Sequence, residues 1–223
     1  VGLDRKPVSA PAFWEALYAE GQDGWELGEP SPALGAWLAK GGRFVRRLGE
    51  REGHGSASAE GNEARARVAV PGCGRGHDVR LLARQGYHAV GFDFAAPAVA
   101  EARRLAAAEG VDTTFEQRDV FTLGRDYREA FDGVWEYTCF CAIDPGRRAE
   151  YVHVLRTTLK QGGTLLACFY PLRDGGDGPP FPVARDEVER LLTPHFTIID
   201  SSAPAASIER RRGLEWMVRA VRA

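Results

Sequence analysis

The sequence predicts an α/β fold, a mostly parallel sheet with helices on both faces, preceded by a helical cap. Two observations carry this. From Val68 onward, short apolar β-prone runs alternate with helical periodicities, the pattern of strands joined by crossover helices. The first run, Val68-Ala69-Val70, also stops at Pro71 and opens into three alternating glycines, Gly72, Gly74 and Gly76, before a helical pattern begins at Asp78. Glycine lets a backbone turn tightly and approach a ligand with no Cβ in the way. A strand, a glycine turn and a helix start together form a nucleotide-binding corner.

The remaining elements follow in order. At 223 residues the chain is one domain with room for a sizeable core. It divides into a cap over 1–48, a polar glycine-rich connector over 49–67 and a core over 68–223. In the cap, Phe13, Trp14, Leu17 and Tyr18 recur at helical spacing, and Pro32 to Leu48 reads as a second helix. The core reads as strand 68–71, helix 78–85, strand 88–92, helix 97–109, strand 112–116, a short polar link, strand 131–136, helix 145–160 and strand 163–170. Helix 185–193 follows, then an antiparallel pair over 195–202 and 214–221.

Composition narrows the function. With 29 basic and 31 acidic residues the formal charge is −2, so no global attraction to nucleic acid or membrane phosphates is expected. Neither a membrane span nor a secretory leader is visible. Cys73, Cys139, Cys141 and Cys168 fall in or beside apolar runs without disulfide spacing, which suits the reducing cytoplasm. Cys139-x-Cys141 lacks a second ligand pair, so no metal is expected. The expected partner is a small molecule, and a monomer is expected.

The glycine turn becomes specific at the next strand, which ends on Asp93. A carboxylate about twenty residues past the first glycine is placed to accept hydrogen bonds from both hydroxyls of a ribose. A dinucleotide fingerprint carries a third glycine where this chain has His77, which disfavours an NAD-dependent oxidoreductase. The alternating G-x-G-x-G form instead resembles class I methyltransferases that use S-adenosylmethionine. Ligands in such sheets sit beyond the carboxyl ends of the strands. There, Asp119 is a candidate acceptor for an adenine amine, with Val120 and Phe121 covering the ring, although an ordinary acidic turn reads the same way. Glu136 and Tyr137 end the fourth strand, where a methyl donor and its acceptor would meet. Tyr137, Phe140, Tyr170 and Phe181 are candidates for an apolar acceptor wall, with core packing the alternative for each. In the cap, Trp14, Tyr18 and Trp25 either pack the cap onto the sheet or face a sulfonium cation, which aromatic rings attract.

The ordered series F-W-E-A-L-Y-A-E-G, W-E-L-G-E-P-S-P, V-P-G-C-G-R-G-H-D-V, V-G-F-D, D-V-F, E-Y-T-C-F-C-A-I-D-P and D-G-P-P-F-P-V resembles the thiopurine methyltransferase family, and within it the halide and thiol methyltransferase branch. The resemblance implies a Rossmann-like class I fold of seven strands with an N-terminal helical lid, and S-adenosylmethionine as cofactor. It implies cofactor contacts from Trp14, Tyr18, Trp25, Gly72, Asp93, Asp119, Val120, Glu136 and Tyr137, to which the glycine turn and the loop after the third strand add Gly74 and Phe121. It also implies methyl transfer to a small soft nucleophile: a halide, bisulfide or thiol. Such anions need no strong base, and no catalytic residue is singled out. Thr138 stands where the thiopurine-acting branch often has arginine, which lowers the expectation of that acceptor. The alternatives are an aromatic thiol or thiopurine acceptor, a selenium or tellurium oxyanion, and a cofactor-binding protein without turnover.

Overall fold

A computed structural model of the chain describes residues 7–45 and 65–223. Seven strands, β1 (Arg67–Pro71), β2 (His88–Asp93), β3 (Thr114–Gln117), β4 (Phe131–Tyr137), β5 (Leu159–Phe169), β6 (Phe196–Ser202) and β7 (Trp216–Arg222), form one sheet in the order β3-β2-β1-β4-β5-β7-β6. The first five strands are parallel, and β7 runs antiparallel to both β5 and β6. This is the Rossmann-like class I methyltransferase architecture expected from the sequence. The strand order reverses at β1, whose neighbours are β2 and β4. Open α/β sheets bind ligands in the crevice at that point.

Strand alternation sends successive side chains to opposite faces, so the sheet builds two cores. Ala69, Phe92, Val134, Leu165 and Val218 face one cluster with Tyr151 and Leu155, whereas Val70, Ala89, Trp135, Leu166 and Met217 face the other. Helices α3 (His77–Arg84), α4 (Ala96–Ala108), α6 (Arg148–Thr158) and α7 (Arg185–Leu192) cover the faces.

The cap holds α1 (Pro11–Ala19) and α2 (Pro32–Ala39), each opening with proline in its first turn, where a missing N–H costs nothing. The second helix is shorter than the pattern predicts. It ends at Ala39, capped by Lys40, because Gly41 takes φ +85°, and the chain then folds back across Trp37, where a Cβ on Gly42 would lie 2.3 Å from the indole. Phe44 thereby packs into the core against Trp37 and Tyr87 instead of continuing a helix. Leu48 and residues 49–64 of the expected connector lie outside the described residues, and Arg67 already belongs to β1.

Three further boundaries differ from expectation. The link after β3 contains a 3-10 turn (Val120–Thr122) and a one-turn α5 (Leu123–Asp126). The helix expected over 145–160 divides into a 3-10 turn (Pro145–Arg147) and α6. The fifth strand begins early, because Leu159 pairs with Phe131 before a register shift brings Thr164 opposite Gly133. Among the described residues, no helix is long and apolar enough to cross a membrane.

Candidate functional site

A cavity of about 1000 Å³ opens at the carboxyl ends of β1, β2, β3 and β4, under the cap. Its floor is the glycine turn. Gly72 and Gly74 have φ of +60° and +52°, a region that favours glycine. A Cβ on Gly72 would lie 2.9 Å from that of Cys139, and one on Gly74 would point at the Tyr18 hydroxyl, 3.3 Å away. The two glycines thus keep the turn low and the space above it clear.

Asp93 anchors this floor. One carboxylate oxygen accepts the Gly74 N–H and the other the Ala95 N–H, each at 2.9 Å. Burial raises the carboxyl's pKa, and these amides, with that of Phe94, oppose the rise. Each oxygen still has a lone pair for a diol. Asp119, the N-cap of the next turn, accepts the Phe121 N–H with one oxygen, leaving the other for an incoming donor. Asp119, Val120 and Phe121 all line the cavity, as does Phe94, which the sequence reading missed.

The cap forms the roof. The rings of Trp14, Tyr18 and Trp25 line the cavity and meet edge to face, Trp25 lying 5.3 Å from Trp14 and 5.5 Å from Tyr18. No residue of α1 is fully buried. Its inner face looks onto the cavity rather than into the core. Polar contacts hold the roof to the floor: Arg75 pairs with Asp23 at 2.6 Å and Glu26 at 3.6 Å, and the His77 Nε2 lies 3.1 Å from a Glu26 oxygen. Although burial raises the Glu26 carboxyl, hydrogen bonds from His77 and the Gly28 N–H, with the Arg75 charge, bring it down to about 2. The His77 Nδ1 faces an Arg80 guanidinium, which can only donate. That fixes Nδ1 as acceptor and leaves Nε2–H to donate to Glu26. His77, the residue that broke the dinucleotide fingerprint, is therefore a clasp between floor and roof.

At the far wall, Tyr137 and Tyr170 line the cavity with Arg211, which the sequence reading missed. Arg211 is only 2 % exposed. Its guanidinium carbon lies 5.1 Å from the Tyr137 ring centre and 4.7 Å from that of Tyr170. It donates to the Tyr137 hydroxyl and to the Trp25 carbonyl. The Tyr137 hydroxyl in turn donates to Glu215 at 2.7 Å. Burial pushes its pKa well up, so it stays protonated. Thr138 follows with φ +67°, a strained value for a β-branched residue, and this turns the chain sharply at the cavity edge.

Three expected site residues do not reach the cavity. Glu136 and Tyr137 are successive on β4, so alternation sends Glu136 to the opposite face. There its carboxyl accepts the Phe140 N–H at 2.9 Å and the Tyr151 hydroxyl at 2.7 Å. Phe140 is core, edge-on to Phe169 and beneath Arg148. Phe181 is tied by its N–H to the Cys141 carbonyl, and its ring folds back onto Gly178.

Burial raises the Glu136 pKa from 4.5 to about 7, against the Phe140, Tyr151 and Cys139 donors. Below pH 4.5 the carboxyl is neutral in both folded and unfolded chains. As pH rises towards 7 the unfolded chain ionises first, so about 3 kcal/mol of stability is lost by neutrality. Glu136→Gln, whose amide matches both partners, is expected to flatten the fall in denaturant midpoint between about pH 5 and pH 8. An unchanged slope would show that Glu136 does not control it.

A family model described as thiopurine S-methyltransferase matches residues 54–223. The chain belongs to the thiopurine S-methyltransferase family. One relative, a probable thiol methyltransferase 2 from Arabidopsis thaliana, is 30% identical over 91% of this chain and 81% of its own. Another, thiocyanate methyltransferase 1 from Brassica oleracea, is 34% identical over 67% of this chain and 66% of its own. Among solved structures, the Burkholderia thailandensis 1,6-didemethyltoxoflavin-N1-methyltransferase, with bound 1,6-didemethyltoxoflavin and S-adenosylhomocysteine, has the same fold. It matches with a TM-score of 0.69 and 19% identity, over 100% of this chain and 93% of that one. This thiopurine methyltransferase family member is an S-adenosylmethionine-dependent methyltransferase. The cleared glycine floor, the doubly anchored Asp93 and the ring-lined roof fit an adenosine-bearing sulfonium.

Proposed function

We propose that this methyltransferase moves a methyl group to a small soft anion: a halide, bisulfide, thiocyanate or thiolate. The observation that carries the reading is Arg211, a buried and permanently charged group in the cavity wall beside two tyrosines. Burial pushes the Cys139 thiol far up and the Cys141 thiol to about 12, and Tyr137 stays protonated. His77 is occupied between Arg80 and Glu26. An acceptor that arrives already anionic needs none of these as base. The names of the relatives agree with this.

In this reading, Asp93 holds the ribose, Asp119, Val120 and Phe121 the adenine, and Gly72 and Gly74 the floor. Trp14, Tyr18 and Trp25 cover the sulfonium, and Tyr137 and Tyr170 with Arg211 hold the acceptor. S-adenosylmethionine supplies the electrophilic methyl carbon when bound. The residues supply alignment and exclusion of water, which dominate an in-line displacement. The proposal takes the chain as one domain and as a cytoplasmic monomer, and four free thiols support the reducing compartment. A bulkier aromatic thiolate is the second reading, favoured by the volume of the cavity.

The test is transfer from radiolabelled S-adenosylmethionine to iodide, bisulfide, thiocyanate and thiophenol, with headspace detection. Volatile iodomethane or methanethiol is expected, and product from thiophenol alone would favour the second reading. Transfer confined to neutral nitrogen or oxygen acceptors would overturn both.

A further inference from the structure

Arg147 stands at the rim of the cavity, away from the acceptor wall. It closes the 3-10 turn after β4, and that turn is itself held rigid. Asp144 caps it by accepting the Gly146 N–H at 2.8 Å, and the Arg147 N–H donates to the Asp144 carbonyl at 2.8 Å. The Arg147 side chain is half-exposed, yet it does not extend into solvent. Its guanidinium carbon lies 3.4 Å from the centre of the Phe121 ring, in flat contact rather than loose proximity. Two of its nitrogens donate to the two oxygens of Glu150, each at 2.9 Å, so the plane is fixed by a fork as well as by the ring. Asp119 and Asp144 also face it and hold its charge. Phe121 meets Tyr151 edge to face on another side and presents what remains of its surface to the cavity, beside Asp119 and Val120.

Phe121 has only a short 3-10 turn behind it, so its backbone alone is a weak support for a flat ligand. We propose that Arg147 is a positioning residue for the adenine end of the cofactor. Lying flat on Phe121, it fixes that ring as the wall against which the purine rests. Its charge is matched by Glu150, so its contribution is the planar face rather than attraction to the ligand. This rests on the reading of the cavity in which Asp119, Val120 and Phe121 receive the adenine.

The test compares wild type, Arg147→Ala, Arg147→Lys and Glu150→Gln by equilibrium titration with S-adenosylhomocysteine, by melting temperature, and by steady-state kinetics with iodide. Arg147→Ala is expected to raise the Kd for S-adenosylhomocysteine and the KM for S-adenosylmethionine by about five- to twentyfold. The kcat at saturating cofactor and the KM for iodide should stay within about twofold, because the contact lies remote from the transferred methyl. Lysine keeps the charge without the plane and should restore little of the affinity. Glu150→Gln, which loosens the fork, should fall between. Unchanged Kd in Arg147→Ala, or full rescue by lysine, would overturn the inference while leaving the cavity's function intact. Failure of wild type to bind S-adenosylhomocysteine would instead overturn the reading of the cavity, and the inference with it.

Discussion

Replacing Asp93 with alanine is expected to weaken S-adenosylmethionine binding by about 1–3 kcal/mol, roughly five- to 150-fold in Kd. The loss has two sources. The ribose loses its acceptor, and the floor beneath it loses the group that holds the Gly74 and Ala95 N–H donors. Leaving those amides unpaired should also lower the unfolding midpoint. Asparagine would not repair the defect, because its amide nitrogen must face one of two N–H groups that can only donate. Calorimetric titration with S-adenosylhomocysteine, done alongside denaturation, separates the two contributions. Affinity equal to wild type in a folded Asp93→Ala protein would show that the ribose lies elsewhere.

The second large effect is expected at the opposite wall. Arg211→Met should raise the KM for an anionic acceptor by about ten- to a hundredfold, the range for losing a charge-assisted contact of about 1.5–3 kcal/mol. Arg211→Lys should keep part of the affinity, since it preserves charge while losing the fork that spans the Tyr137 hydroxyl and the Trp25 carbonyl. Cofactor affinity should change less than acceptor affinity. Steady-state kinetics with varied iodide at saturating S-adenosylmethionine reads the difference. An unaltered iodide KM in Arg211→Met would remove Arg211 from the acceptor site and take the chief support from the soft-anion reading.

What the sequence made legible was whatever is encoded locally. The glycine corner, Asp93 at the end of the next strand and the aromatic spacing of α1 lie within short windows, and all of them line one cavity. Arg211 was invisible for the opposite reason. It sits in a polar stretch 74 residues beyond Tyr137, and only the antiparallel return of β7 brings the two together. Glu136 misled because proximity to a strand end says nothing about which face a side chain takes, and one step along β4 exchanges cavity for core. Phe140 and Phe181 misled similarly. An aromatic run after a strand reads as a wall, but the sharp turn at Thr138 sends Phe140 inward, and Gly178 gives the Phe181 ring a place to fold back. The early end of α2 was written in Gly41-Gly42, which the apolar spacing around them outweighed.

One carboxylate ties the second half of the cap to the sheet. Asp78 accepts the Ser31 N–H with one oxygen and the Trp135 indole N–H with the other, each at 2.7 Å. The start of α2 is thereby rooted in the same residue that grips the middle of the sheet. Residues 11–30 meet the core through the Asp23 and Glu26 contacts with Arg75 and His77, the Glu15 carboxylate that accepts the Ala96 N–H at 3.4 Å, the Tyr18 ring beneath Arg75, and the Gly24 and Trp25 carbonyls that Arg210 and Arg211 grasp. Because Arg211 holds the Trp25 carbonyl as well as the Tyr137 hydroxyl, a single guanidinium ties the roof above the cofactor to the wall proposed to receive the acceptor, and neither can be reshaped without the other.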